Sequence, residues 1–174
     1  LPTKQLGKEI ALYEASQTNT EKLTDGSWKA GFLTQRGIIY SLEGLYYLSE
    51  AEITQSISWL EAHPNAAFPF IRVIYNNQPL PDRDTWLGLH AANHLYRGVD
   101  RMMMERQVDN DRAIGDFEVF LSDCNQLGWN DELIWIVQTY VGLKQKDHVS
   151  AIAALERLRT SSLFSSSEQE AIDE

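Results

Sequence analysis

Two histidines stand four residues apart in a stretch whose apolar spacing predicts a helix. His90 and His94 would project from one helix face, because positions i and i+4 lie one turn apart. Two histidines at this spacing can chelate zinc, but Ala91 stands where an HExxH metalloprotease carries its general-base glutamate. No third ligand is identifiable in the sequence, so an ordinary amphipathic helix face is favoured over a metal site.

The sequence lacks the patterns that mark other common catalytic centres. It contains no GxSxG nucleophile elbow, no Walker phosphate loop and no GxGxxG dinucleotide fingerprint. Its single cysteine, Cys124, excludes a disulfide framework within the chain, and the neighbouring Asp123 is expected to raise the pKa of the thiol. These observations favour a non-enzymatic protein without a cofactor.

The charge balance argues against nucleic acid as a partner. The 174 residues carry 15 Lys and Arg against 25 Asp and Glu, which gives a net charge of −10. No run of basic residues offers a stripe for DNA, RNA or anionic lipid. No apolar stretch reaches the ~18 residues that a membrane span requires, so no direct membrane insertion is expected. A protein or peptide partner is therefore predicted.

The length predicts a single domain over residues 1–174. Leu1 is not an initiator methionine, which fits a processed chain or a piece of a longer one, and capping boxes within residues 165–170 fit either the start of a further helix or an acidic tail. Of these, we expect a piece of a longer chain. The few lysines and many uncharged polar residues suggest an envelope-facing, periplasmic domain of a membrane-tethered bacterial protein, with a cytoplasmic location as the alternative.

Periodic apolar residues predict an all-α protein. The predicted helices cover residues 4–17, most of 28–48, a segment after the capping box of Ser49 and Glu52, a long helix that Asp84 caps, and a helix that ends before Gly128. Within residues 65–83, the segment 70–75 has a strand-like composition and a turn-like segment follows it, but no partner strand is evident, so a short helix or an extended connector is preferred.

The helix predicted from Asp131 to about Lys146, with Asn130 as its cap, is apolar on nearly all sides. Such a helix is expected to be buried between neighbours. Arg97 and Arg101 should share a face of the preceding long helix. A solvated face is favoured there over an anchor for an acidic peptide or a C-terminal carboxylate.

Two segments of the sequence, residues 109–117 and 146–155, look alike and resemble the start of the second helix of a tetratricopeptide repeat. Each places a small residue four positions before a large one, and Trp135 lies 16 residues before Ala151, as the family's early tryptophan does. The degenerate resemblance covers residues 93–164. It implies stacked antiparallel helical hairpins, an α-solenoid whose concave face binds a protein segment.

Matching by offset, the resemblance assigns four residues to the peptide-binding groove: Met102, Arg106, Tyr140 and Lys144. The function predicted first is therefore a non-enzymatic interaction module or scaffold. The alternative is a small-ligand or metal-binding helical protein, an enzyme included, with an aromatic pocket near His90 or His94 that draws on Trp28, Trp59 and Trp86.

Overall fold

A computed structural model describes residues 26–68, 73–75, 78–104 and 107–161. Within these ranges lie six helices and two short strands: α1 Gly26–Leu42, α2 Tyr46–Ala62, β1 Ile74–Tyr75, β2 Gln78–Pro79, α3 Asp82–Met103, α4 Gln107–Leu127, α5 Glu132–Gln145 and α6 His148–Arg159. The all-α prediction is confirmed. The helix predicted over residues 4–17 and the capping boxes within 165–170 lie outside the described residues.

The helices pack mainly against their neighbours in the chain. The closest pairs are α1 with α2, α3 with α4 and α5 with α6, while α2 also packs on α3 and α4 on α5. The first pair is antiparallel, because Thr34 bonds Ser56 and Arg36 bonds Glu52. This pairing is compatible with a set of helical hairpins. None of the described helices is long and apolar enough to cross a membrane.

Two apolar clusters hold the helices together. The larger joins α3, α4 and α5 and consists of Ala91, Ala113, Phe117, Phe120, Cys124, Ile134, Val137 and Val141. The smaller joins α1, α2, the connector after α2, and α3, and consists of Ala30, Leu60, Phe68 and Leu89. Because α3 contributes to both clusters, it is the central element. Its buried polar residues are Thr85, His90, Asn93, His94 and Asp100.

Two predicted helix starts are shifted. The α2 helix begins at Tyr46, ahead of Ser49. Ser49 is not a cap, because its Oγ donates a 2.5 Å hydrogen bond to Oδ2 of Asp100 on α3. The α3 helix begins at Asp82 after Pro81, which places Asp84 in the first turn. Proline is common near helix starts, since it has no backbone N–H that would be left unpaired there.

The stretch before α3 contains a minimal antiparallel pair, in which Ile74 lies opposite Pro79 and Tyr75 opposite Gln78. The short-helix alternative is therefore wrong for residues 74–75 and 78–79, and β2 is the partner strand that the sequence did not make evident. The pair ends at Pro79, three residues before α3 begins.

The α4 and α5 helices meet at a tight turn. Gly128 follows α4 with φ of 69°, as predicted for the residue after a helix end. The N-cap of α5 is Asp131, whose side chain accepts from the backbone N–H of Ile134, whereas Asn130 accepts from Nε1 of Trp135. The assignment of Asn130 as the cap was therefore wrong by one residue.

One side of α5 faces solvent. Leu133, Ile136 and Leu143 are 47%, 46% and 54% exposed. The expectation that this helix is buried on all sides was wrong, because α5 packs against α4 and α6 and no other described helix covers its third side. The apolar residues on this outer side of α5 are therefore accessible for contact with another molecule or another part of the chain.

Candidate metal centre

The interface between α3 and α4 contains buried polar side chains beside its apolar ones. Three aspartates seven residues apart on α4 are buried: Asp109, Asp116 and Asp123 are 1%, 3% and 5% exposed. Residues at this spacing share a helix face, here the face that also carries the apolar stripe of α4. The α3 side chains that bond Asp116 and Asp123 are His90, His94, Arg97 and Arg101.

Each of the two histidines is held by one carboxylate. Nδ1 of His90 lies 2.7 Å from Oδ2 of Asp123, and Nδ1 of His94 lies 2.9 Å from Oδ1 of Asp116. Because an ionised carboxylate only accepts hydrogen bonds, Nδ1 is the donor in both rings. Neither Nε2 atom has a hydrogen-bond partner among the described residues, although both are buried. In the neutral ring each Nε2 therefore presents an unused lone pair.

Glu61 brings a third candidate ligand to the two imidazoles. It lies in the last turn of α2, and its side chain is exposed. One ligand atom of each of Glu61, His90 and His94 lies within 4.8 Å of the others. Ligands of a tetrahedral zinc ion are about 3.3 Å apart. Binding one ion at that spacing would draw the three side chains, whose ligand atoms lie within 4.8 Å of one another, toward a common point.

Trp86 connects the helix of Glu61 to the helix of the histidines. Its ring stacks on that of His90, with centroids 4.8 Å apart and planes 14° from parallel. Its Nε1 donates a 3.0 Å hydrogen bond to the carbonyl oxygen of Leu60, the residue before Glu61. One side chain therefore sets both the plane of the His90 ring and the position of the last turn of α2. The aromatic neighbours continue with Trp59, which stacks on His63.

Asp116 is the most heavily bonded carboxylate in the interface. It accepts from His94, from Nε and Nη2 of Arg97, and from Nη1 of Arg101 at 2.7 Å. Burial alone would raise the pKa of Asp116, but the hydrogen bonds from His94 and Arg97 and the charges of both arginines outweigh it and lower that pKa. Asp116 is therefore a fixed negative charge behind His94.

The arginines do not form a solvated face. Their side chains are 13% and 14% exposed for Arg97 and Arg101. Arg101 also donates from Nε to Glu50 at 2.7 Å, and Arg97 donates to Thr54 at 3.3 Å. The prediction of a solvated pair was wrong, because both guanidinium groups lie over Asp116 in the interior.

The charges around the histidines favour a cation. Four carboxylates, those of Glu50, Glu61, Asp116 and Asp123, belong to this cluster together with two guanidinium groups. With neutral imidazoles the cluster carries two negative charges. Two protonated imidazoles would also balance it, but their ring centroids lie 4.6 Å apart and each buried Nε2–H would need an acceptor. One divalent cation bound to both Nε2 atoms satisfies the charge and the lone pairs together.

Cys124 does not belong to a reactive site. Its side chain is fully buried in the larger apolar cluster. Burial, followed by the nearby charges of Asp123 and Asp131, raises the pKa of the thiol to about 12. The predicted direction of this pKa shift is confirmed.

The four residues assigned to a peptide groove are only partly brought together. Met102 and Tyr140 are partly buried against the larger apolar cluster, and Lys144 Nζ lies 5.5 Å from the centre of the Tyr140 ring. Tyr140 packs edge-on against Phe117. Arg106 and the side chain of Trp28 are outside the described residues. The groove therefore stays a prediction.

Sequence reasoning identified His90, His94 and Trp86 but missed Glu61, Asp116 and Asp123. The two aspartates could have been recognised from the sequence, since they stand among the apolar residues of the α4 stripe. A carboxylate buried there needs a hydrogen-bond or ion-pair partner. Glu61 carried no such signal, because an exposed glutamate near a helix end is common.

The chain was compared with models of protein families, with curated proteins and with solved structures, and none of the three comparisons gives a match.

Proposed function

We propose that this protein binds a divalent transition-metal ion through Glu61, His90 and His94. The observation that carries the proposal is the state of the two imidazoles. Each Nδ1 is bonded to a buried carboxylate, and each Nε2 is buried without a hydrogen-bond partner among the described residues. Metal-binding histidines typically donate their second N–H to a carboxylate, which fixes the tautomer and makes the other nitrogen a stronger ligand.

The donor atoms favour zinc and its neighbours over magnesium and calcium. Two imidazole nitrogens suit Zn²⁺, Co²⁺, Ni²⁺ and Cu²⁺, and a carboxylate oxygen is a common further ligand of zinc. Calcium takes six to eight oxygen ligands and magnesium an octahedron of oxygens, and this cluster supplies neither. The proposal corresponds to the metal-binding alternative of the sequence analysis rather than to its first choice.

The test is zinc binding to protein that has been stripped with a chelator. We expect one equivalent by isothermal titration calorimetry. At zinc concentrations a hundredfold above Kd, the ion should stabilise the fold by about 2.7 kcal/mol, which is a rise in Tm of about 5–10 °C. His90→Gln and His94→Gln should each abolish that rise. His148→Gln, which changes an exposed histidine on α6, is the matched control and should retain it.

The stacked ring of Trp86 supplies a local readout. A paramagnetic ion such as Cu²⁺ bound to His90 should quench the tryptophan fluorescence, and most of this quenching should disappear in Trp86→Phe. Zinc binding that is equally strong in wild type and in both His→Gln variants would contradict the proposal. So would an unchanged Tm in the presence of excess zinc.

A second proposal keeps the hairpin-repeat interpretation, with the last helices as a docking surface for a protein segment. The observation in its favour is the exposure of apolar side chains on α6, 80% for Val149 and 59% for Ile152, beside those on α5. The test is a pull-down with wild type and a Val149→Ser/Ile152→Ser variant of unchanged Tm. Equal recovery of the same partners would remove this surface from consideration.

A further inference from the structure

The three candidate ligands of the proposed metal differ in solvent exposure. His90 and His94 are 8% and 4% exposed, whereas Glu61 lies at the surface. A metal ion bound between them would therefore have two buried ligands and one ligand at the surface.

The described protein supplies fewer ligands than a closed site needs. Glu61, His90 and His94 form the only group of three or more histidine, cysteine, aspartate or glutamate ligands found in the described ranges. Structural zinc sites have four protein ligands, while sites with three keep a position for water or substrate. A site with three protein ligands that faces solvent matches the second kind.

The ligands that touch the ion leave it net positive, although the ion and the whole cluster around it together are neutral. A divalent ion, one carboxylate and two neutral imidazoles sum to a single positive charge. The aspartates behind the imidazoles lie one ligand further out, and Asp116 is already paired with Arg97 and Arg101. An anionic ligand would therefore meet a net positive ion across a short distance.

We propose that the metal ion keeps one coordination position open toward solvent and that a small monodentate anion replaces the water bound there. This inference rests on the proposed metal site. In the exchange the metal–oxygen bond to water breaks, the metal–anion bond forms, and no electron or proton moves. A water molecule held at such a position is the kind that metal ions activate as a nucleophile.

The experiment uses protein loaded with Co²⁺, whose visible absorption reports its ligands, and azide as the anionic probe. We expect one equivalent of Co²⁺ to bind and the spectrum to change with azide in a saturable way, at millimolar concentrations. Glu61→Gln removes the carboxylate charge and leaves both histidines, so its weaker Co²⁺ complex should bind azide at least as tightly as wild type does. His148→Gln should behave as wild type.

The outcomes separate this inference from the proposal on which it rests. If one equivalent of Co²⁺ binds but its visible spectrum does not change with azide, the coordination shell is closed. This inference is then wrong, while the proposed metal site is supported. If Co²⁺ does not bind at all, the metal site and this inference are both wrong. An azide response that persists in His90→Gln/His94→Gln would place the anion elsewhere and would also overturn it.

Discussion

Nδ1 of His90 lies 2.7 Å from Oδ2 of Asp123, although the two residues are 33 positions apart in the chain. The pair joins α3 to α4 and fixes the imidazole with Nε2 directed away from α4. Asp116 does the same for His94. The two carboxylates differ in one respect, because Asp116 is shared with Arg97 and Arg101, whereas no described arginine or lysine forms an ion pair with Asp123.

Asp123→Asn should weaken zinc binding by about 10–100-fold, the usual effect of losing such a partner. The amide keeps the shape of the carboxylate but removes the charge that strengthens His90 as a ligand. Isothermal titration calorimetry measures the change. Asp111→Asn, an exposed position on the same helix, is the control and should bind zinc as wild type does. Equal affinities in wild type and Asp123→Asn would show that His90 does not act as a ligand.

Asp116→Ala should destabilise the fold by about 3–5 kcal/mol. The substitution leaves Arg97 and Arg101, both largely buried, without the carboxylate they share. Urea unfolding of the metal-free protein measures the loss. The contrast is Glu156→Ala, which breaks the exposed pair with Arg159 and should cost no more than about 0.5 kcal/mol. Similar costs for the two variants would mean that the interior network contributes little.

Gly98 is required by close packing between α3 and α4. A Cβ atom there would lie 2.6 Å from Cε1 of Phe117, so Gly98→Ala should destabilise the protein by about 1–3 kcal/mol. Gly115 on α4 is the matched control, since a Cβ atom would meet nothing within 4 Å. Gly115→Ala should stabilise the protein by up to about 1 kcal/mol through helix propensity. Opposite signs in urea unfolding are the expected result, and a stabilising Gly98→Ala would contradict this packing.

Cys124 should resist thiol reagents in the folded protein. Its side chain is fully buried and its thiol pKa is raised to about 12, so almost no thiolate forms at pH 8. The absorbance of the Ellman reaction should rise only when urea unfolds the chain. Stoichiometric labelling of native protein within minutes would show that the thiol is accessible and reopen a catalytic role for it.

The sequence predicted the helical class because apolar periodicity reports which face of each helix is buried. It predicted the end of α4 because Gly128 takes a backbone conformation that favours glycine. It did not predict that Ser49 is interior, since a serine followed by Glu52 also fits a helix cap and only the approach of Asp100 decides between the two. Helix periodicity is local, whereas this hydrogen bond joins residues 51 positions apart.

The same difference between local and long-range features holds for the candidate site. The spacing of His90 and His94 is a local property of one helix and was visible in the sequence. Glu61 comes from another helix, and its approach depends on how α2 packs against α3, for which Trp86 and the backbone of Leu60 supply a contact. The sequence disfavoured a metal site because it showed no third ligand. That ligand comes from a different helix, so only the tertiary packing could reveal it.

Asp100 should make the stability of the fold depend on pH. Its side chain is fully buried and accepts a hydrogen bond from Ser49. Burial, which is the largest effect, and the charge of Glu50 together raise its pKa above the ordinary 3.8 by more than the hydrogen bonds from Ser41 and Ser49 lower it. The folded protein therefore holds this proton more tightly than the unfolded chain does. The resulting stability is fully present below the unfolded pKa and is lost as the pH rises through the folded pKa.

Asp100→Asn is neutral at every pH and does not show this loss. The free energy of unfolding of Asp100→Asn minus that of wild type should therefore increase between pH 4 and pH 7, because wild type alone must ionise a buried carboxyl. Taking the difference cancels the other titrating groups that both proteins share. Ser49→Ala removes a hydrogen bond that lowers the pKa of Asp100. The free energy of unfolding of the Ser49→Ala/Asp100→Asn double variant minus that of Ser49→Ala should therefore increase with pH by more than the corresponding difference between Asp100→Asn and wild type. Urea unfolding across this range measures all four proteins, and a difference that stays flat or falls with pH would show that Asp100 ionises in the fold as readily as in the unfolded chain.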